Sequence, residues 1–345
     1  MSRAHVISIV MTGCSWMPHR DSDPPPPVPP STPVAIAGIN SPFDDFNAAS
    51  QAGIYSDRIV FSTNRGSAGA NFDLYTSTIT WMRSDGGPRS LVARDVVPFE
   101  PALMSDGDER GPIFLQPSTA PIGSRSRFVF ASTRAGGEGG LDLYAAEQDA
   151  PGGERGFHAL VGINTAGDDA YLTYSPVGNQ MLLASNATPG APLDIYAATW
   201  RDKDTIDNVP DTRAIVEALS SDADDTAPFV YWLDEDHREA EIVFASSRGG
   251  GLGEHALYCS RFADPRTEAE RADEAKRAKI RGWAQDSRRW SPPVLLRELS
   301  SPRDEYRPRV FSRLGARYLV FSSTRDGGQG GYDLYVVGYA GCPRA

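Results

Sequence analysis

Cysteine is scarce in this chain: Cys14, Cys259 and Cys342 are the only three in 345 residues. That is too few for a disulfide-built scaffold, and their spacing matches no zinc site. Histidine is almost as sparse, and His5, His19, His158, His237 and His255 are scattered without metal-ligand spacing, which argues against zinc chemistry. No apolar run approaches the roughly 20 residues of a membrane-spanning helix. Basic side chains are outnumbered 34 to 45, and the net charge of −11 opposes attraction to nucleic acid or anionic lipid. A G-x-S-x-G elbow and the S-x-D-x-G-x-x-W turn of sialidase type are both missing, so no serine nucleophile can be nominated.

What the chain does have is glycine, proline and repetition. The 33 glycines and 27 prolines suit a fold of many tight turns. Arg3 and His5 precede the short apolar stretch 6–10, then Met11-Thr12-Gly13-Cys14 and the run DSDPPPPVPPSTP. This resembles a bacterial lipoprotein signal, in which the peptidase cuts before a cysteine that then carries lipid. The expected organisation is a signal peptide over 1–13, lipidation at Cys14, a proline-rich spacer over 14–32, a folded body over 33–340 and a tail over 341–345. The resemblance implies a cell-envelope protein anchored by lipid at the periplasmic face of the outer membrane.

Five segments share an apolar strand and a serine-rich step: RIVFSTNR (58–65), RFVFASTR (127–134), QMLLASNA (180–187), EIVFASSR (241–248) and YLVFSSTR (318–325). Each starts with consecutive apolar residues, the sign of a strand covered on both faces. A turn follows, GGEGG (136–140) and GGQGG (327–331) in the clearest copies, and then a second strand: FDLYTSTI, LDLYAAEQ, LDIYAATW, HALYCSRF and YDLYVVGY. A third strand recurs as SLVARDV (90–96), FHALVGI (157–163), RAIVEAL (213–219) and PVLLREL (293–299). Its fifth copy, PVAIAGI (33–39), stands at the start of the chain. A weaker fourth strand is expected near Asn47 and over 101–104, 171–174, 229–233 and 309–311. The prediction is an all-β, five-bladed β-propeller of four-stranded blades, with the N-terminal strand closing the last blade and removing its free edge. A helical insertion is predicted over about 264–285, with Asp264 as its cap.

With the S-x-R, G-G-x-G-G and D-L-Y elements in view, the repeat resembles that of TolB-type propellers. It is similar in particular to those of envelope lipoproteins that also carry OmpA-like domains, and WSPPVLLRELSSPRDEYRP (290–308) matches the link between their blades. The resemblance implies a non-catalytic protein, more a binder than an enzyme, whose propeller face holds an envelope protein or a cell-wall component. A monomer is expected, with no nucleic-acid partner and with membrane contact only through the lipid.

The candidate binding face gathers the acidic Asp44, Asp45, Asp168, Asp169, Asp224, Asp225, Asp304 and Glu305 with the basic Arg65, Arg134, Arg248 and Arg325. They could form a polar funnel, or cap turns and pair with one another; repetition in every blade favours the second. Blade three carries Ala187 in place of the arginine, blade four Ala256 in place of an aspartate, and blade two an insertion around 105–123 in place of the acidic pair. The alternative to a binding protein is a glycan-active hydrolase with a carboxylate pair in the central channel. No cofactor is expected. For calcium, Asp202, Asp204 and Asp207 are the weak candidates, because Ile206 falls where a ligand is needed. Cys259 and Cys342 could oxidise together in an envelope compartment, but free thiols are the favoured expectation.

Overall fold

The computed structural model describes residues 29–50, 58–82, 90–115, 127–148, 155–175, 180–199, 213–234, 238–263, 286–313 and 316–344, together with 267, 269 and 284. Signal, lipidation site Cys14, the spacer as far as residue 28, the 202–208 loop and nearly all of the 264–285 insertion lie outside these residues.

Strand β1 is Val34–Ala35. Blade one follows as β2 (Asp45–Ser50), β3 (Arg58–Thr63), β4 (Asp73–Met82) and β5 (Ser90–Pro98). Blade two is β6 (Glu109–Leu115), β7 (Arg127–Ser132), β8 (Asp142–Gln148) and β9 (Arg155–Ala159). Blade three is β10 (Asp169–Ser175), β11 (Gln180–Ser185), β12 (Asp194–Thr199) and β13 (Ala214–Ile215). Blade four is β14 (Asp225–Trp232), β15 (Glu239–Ser246), β16 (Ala256–Ala263) and β17 (Val294–Leu295). Blade five is β18 (Glu305–Arg313), β19 (Ala316–Ser323) and β20 (Asp333–Gly338). Every blade is one four-stranded antiparallel sheet, and the fourth strand of blade five is β1. The five-bladed propeller is therefore what the chain forms. Inner strands β2, β6, β10, β14 and β18 touch their neighbours all round the ring.

Closure runs through the N-terminus as the repeat frame requires. Val34 pairs with Val336 and Ala35 with Tyr335, and the amide of Gly338 donates to the carbonyl of Pro30 at 2.8 Å. Ile36 and Ile39 then sink into the apolar seam between blades five and one, beside Ile59, Phe61, Leu334 and Val336. Middle strands are covered on both faces, which is why β11 reads as an unbroken buried run.

Two readings of the sequence need correction. The inner strand of blade two is not 101–104, which forms a short 3-10 turn at Pro101–Leu103, but Glu109–Leu115; the acidic pair is present as Asp108-Glu109. Ser-x-x-Asp-Glu at 105–109 follows the pattern of the other four copies, Ser or Thr, two residues, Asp and then Asp or Glu, and was the available signal. The two late cysteines are not free thiols: Cys259 and Cys342 form a disulfide with a Cα–Cα distance of 5.7 Å. The peptide after β20 crosses to blade four, where the Cys342 amide donates to the buried Glu241 carboxylate at 3.0 Å and the Arg261 guanidinium to the Cys342 carbonyl at 2.6 Å. A thiol in sequence gives no sign of that crossing.

Candidate functional site

At one end of the ring each blade repeats the same ionic clamp. The second acid of each pair, Asp45, Glu109, Asp169, Asp225 or Glu305, is fully buried. Its carboxylate accepts from a Ser or Thr hydroxyl four residues earlier: Ser41 at 2.8 Å, Ser105 at 2.5 Å, Thr165 at 2.7 Å, Ser221 at 2.7 Å and Ser301 at 2.5 Å. An arginine neutralises each acid: Arg65, Arg134, Arg248 and Arg325 in four blades. The same arginine donates to a carbonyl at the end of the preceding outer segment, as Arg134 does to Leu103 at 2.5 Å and Arg325 to Leu299 at 2.7 Å. In blade three, where Ala187 leaves the position empty, Arg213 reaches in from the link before β13 and bonds Asp169 at 2.8 Å and the Ile163 carbonyl at 2.6 Å. Buried ion pairs of this kind cost about 3–5 kcal/mol when one partner is removed, because the other is stranded.

The first acid of each pair works between blades. Asp44, Asp108, Asp168 and Asp224 each accept at Oδ1 from one backbone amide at the start of a neighbouring strand: Tyr332 at 2.9 Å, Phe72 at 3.0 Å, Leu141 at 2.7 Å and Leu193 at 2.8 Å. Every sequence-predicted face residue is thereby engaged within or between blades.

A third acid stands at the head of β4, β8, β12 and β20, and in β8 and β20 it supports the turn before it. Asp142 accepts from Glu138 and Gly139 amides at 2.8 and 3.2 Å, and Asp333 from Gln329 and Gly330 at 2.7 and 3.2 Å. The other oxygen of both has no partner among the described residues. Burial first, and neighbouring carboxylates after it, push Asp73, Asp142, Asp194 and Asp333 above the ordinary carboxyl value. Burial does the same to Glu305, against the opposing pull of Ser301 and Arg325. Groups raised in this way bind more protons folded than unfolded, so their contribution is present at low pH and lost as pH rises through the folded values. The melting temperature should therefore rise on acidification toward the ordinary carboxyl range, as these groups take up protons in the folded state first. The Asp142→Asn/Asp333→Asn double variant should flatten the rise, measured by calorimetry. A melting temperature that falls steadily over that range would contradict the assignment.

Blade four breaks the repeat. Where the other blades offer Phe72, Leu141, Leu193 and Tyr332, it offers His255, preceded by Glu254. Asp304 Oδ1 accepts from the amides of both, at 2.8 Å from Glu254 and 3.1 Å from His255. Its Oδ2 accepts from the Tyr332 hydroxyl at 3.2 Å. Gly253 makes this approach possible: a Cβ there would stand 2.0 Å from the Arg303 carbonyl. Glu254, His255 and Asp304 bring one ligand atom each to within 4.8 Å of one another. Such a set could hold a divalent cation, although both Asp304 oxygens already accept hydrogen bonds. The Glu254 side chain is exposed.

Aromatic rings connect this cluster to the channel. The His255 ring stands edge-on to Tyr306 at 4.9 Å, Tyr306 meets Tyr332 at 6.1 Å, and Tyr332 meets Phe46 at 6.1 Å. All five inner strands carry a register shift two residues into the strand. There Asn47, Gly111, Tyr171, Ala227 and Arg307 take positive φ, between 50 and 65°. Such bulges re-aim side chains, and left-handed backbone at a bulky residue such as Tyr171 or Arg307 is strained. Both meet inside the ring, where the Arg307 guanidinium donates to the Tyr171 hydroxyl. Sequence reasoning passed over Glu254 and His255 because it weighed histidines by spacing along the chain. Comparing the residues before each D-L-Y strand would have shown that blade four departs there.

Among solved structures, the chain is similar to an α-L-arabinofuranosidase from Lactobacillus brevis, at 11% identity and TM-score 0.50, over 90% of this chain and 95% of that one. It is also similar to the RS223 β-xylosidase, at 9% identity and TM-score 0.52, over 89% and 94%. A third is the α-L-arabinofuranosidase PaAbf62A from Podospora anserina, at 10% identity and TM-score 0.52, over 90% and 94%. No protein-family model matches the chain, and no curated relative does. At these identities the likeness is one of fold. It nevertheless corrects the resemblance to TolB-type repeats: the rings this chain superposes on belong to glycoside hydrolases. With that resemblance fall the non-catalytic reading and the expectation against an enzyme.

Proposed function

We propose that the protein is a glycan-active hydrolase whose carboxylate pair is Glu254 and Asp304, at the mouth of the central channel. The observation that carries this is the break in the repeat. Among the described residues, Asp304 is the one first acid that belongs to a three-residue ligand cluster, with Glu254 and His255, and its outer oxygen accepts from the Tyr332 hydroxyl. A catalytic pair should stand apart from residues whose role is to repeat. The aromatic rings of Tyr306, Tyr332 and Phe46 beside it suit the apolar faces of a sugar. Structural neighbours that cleave arabinofuranosyl and xylosyl linkages on five-bladed rings support the same reaction class.

Carboxyl groups roughly 5 Å apart suit retention of configuration rather than inversion. Asp304, oriented by two amides and a phenol, attacks the anomeric carbon through its carboxylate. Glu254 gives its proton to the leaving oxygen, so that the glycosidic bond breaks as the sugar–Asp304 ester forms. Water then attacks that ester, Glu254 takes the water's proton, and Asp304 leaves as a carboxylate. The Cys259–Cys342 disulfide supports a setting outside the reducing cytosol, where extracellular glycans are met.

The test is a panel of aryl glycosides and plant and bacterial cell-wall polysaccharides, read by released reducing sugar. Glu254→Gln and Asp304→Asn should each lower kcat by about a thousandfold, while Asp224→Asn, the corresponding acid one blade back, should retain activity. Turnover undiminished in both of the first two variants would remove the assignment.

A further inference from the structure

Arginine is spent freely in the channel of this acidic protein. Arg307 is 4% exposed and Arg309 5% exposed, both on β18. Arg307 reaches across the ring, with its guanidinium 3.8 Å from the Tyr171 ring centre, 4.1 Å from Phe46 and 4.8 Å from Tyr306. Arg309 lies 5.1 Å above Phe229. Arg110, on β6, sits 4.4 Å above Phe72 and 5.8 Å from Phe46. Of the three, only Arg110 is paired with a carboxylate among the described residues, Asp108 at 2.6 Å.

This contrasts with the clamps, where Asp45, Glu109, Asp169, Asp225 and Glu305 each have an arginine. Among the buried donors left over are Nε and Nη1 of Arg307, Nε of Arg110 and Nδ2 of Asn47, none of which has a partner among the described residues. Asn47 stands beside Tyr171 at the position where a Cβ on Gly111 would meet both, at 3.2 and 3.0 Å. Aromatic faces attract a desolvated cation but do not supply the counter-charge that a paired anion gives in a water-poor site. Burial lowers Arg307, and lowers Arg309 to about 10 with the Arg307 charge adding to the effect. Apart from Asp108, no carboxylate among the described residues pairs with these three guanidiniums.

We propose that the channel binds the carboxylate of an acidic sugar, a uronic acid unit of the glycan, through Arg307 and Arg110 with Asn47 beside them. This rests on the hydrolase reading and names its substrate class. Tyr306 lies between the two halves of the site: its ring contacts His255 on one side and the Arg307 guanidinium on the other. A uronic acid held by Arg307 would therefore adjoin the Glu254–Asp304 pair. A planar carboxylate also matches the forked donors of arginine.

The experiment is calorimetric titration of the full chain with a uronic acid oligosaccharide, its neutral counterpart of equal length, and inorganic phosphate. The acidic oligosaccharide should bind about tenfold tighter or more than the neutral one, with phosphate weaker than both. Arg307→Gln should erase the preference while its melting temperature confirms a folded ring. The wild-type comparison decides the matter even if that variant fails to fold. Equal binding of acidic and neutral oligosaccharides, or phosphate binding as tight as the uronic acid, overturns the proposal. Hydrolysis of neutral glycans alone defeats the acidic-sugar inference and leaves the hydrolase; preferential uronic acid binding with no cleavage defeats the hydrolase and leaves the channel site.

Discussion

A chain that begins at residue 43 will not yield a soluble ring. Removing residues 1–42 takes away β1 and with it the edge partner of β20, exposing the unpaired backbone from Tyr335 to Val336. Ile36 and Ile39, 1% and 0% exposed, leave a hole in the seam between the last blade and the first. Each such side chain is worth about 2–5 kcal/mol. Asn40 also goes: it brackets Leu334, accepting from the amide at 2.8 Å and donating to the carbonyl at 3.1 Å. So does the Ile39 carbonyl that holds Arg65. The sum approaches the whole stability of an ordinary domain, and an open edge invites pairing between chains. The truncated chain is expected in the insoluble fraction. A chain starting at Pro29 keeps every one of these contacts and should melt with the full-length protein. Soluble, cooperatively melting protein from residue 43 onward would show that closure does not run through β1.

Reduction should be nearly as costly. The Cys259–Cys342 bridge spans 83 residues, and closing a loop of that length restricts the unfolded chain by about 4.5 kcal/mol. It also seats the Cys342 amide against buried Glu241, whose carboxylate pairs with Arg261 at 2.9 Å. Loss of the bridge in Cys259→Ser/Cys342→Ser, or under strong reductant, should lower the melting temperature by roughly 10 °C. Identical melting curves with and without reductant would mean that the bridge contributes nothing.

Both expectations concern chain ends, and the two were unequally legible. The N-terminal strand could be read because PVAIAGI shares the pattern of four other outer strands. The C-terminal crossing could not, since Cys342 follows the last repeat and nothing in GCPRA shows where it goes. Blade three shows the same limit. The sequence has Ala187 where an arginine should be, and the deficit is made good by Arg213, 26 positions further on, because the link before β13 passes over Asp169. An ionic clamp needs a guanidinium at a point in space and is indifferent to which segment delivers it.

By itself the sequence determined the five copies, the strand order within a blade and the closure, since strand pairing in a repeat follows from local apolar runs, turn glycines and register, all written consecutively. Tertiary structure decided which charges are spent and which are left over. Glu254, His255 and Asp304 are 50 positions apart yet share hydrogen bonds, and Arg307 meets Tyr171 across 136 positions. Only ring closure brings the inner strands around one axis, so only the closed ring shows that the clamp acids are neutralised while Arg307 and Arg309 have no carboxylate among the described residues.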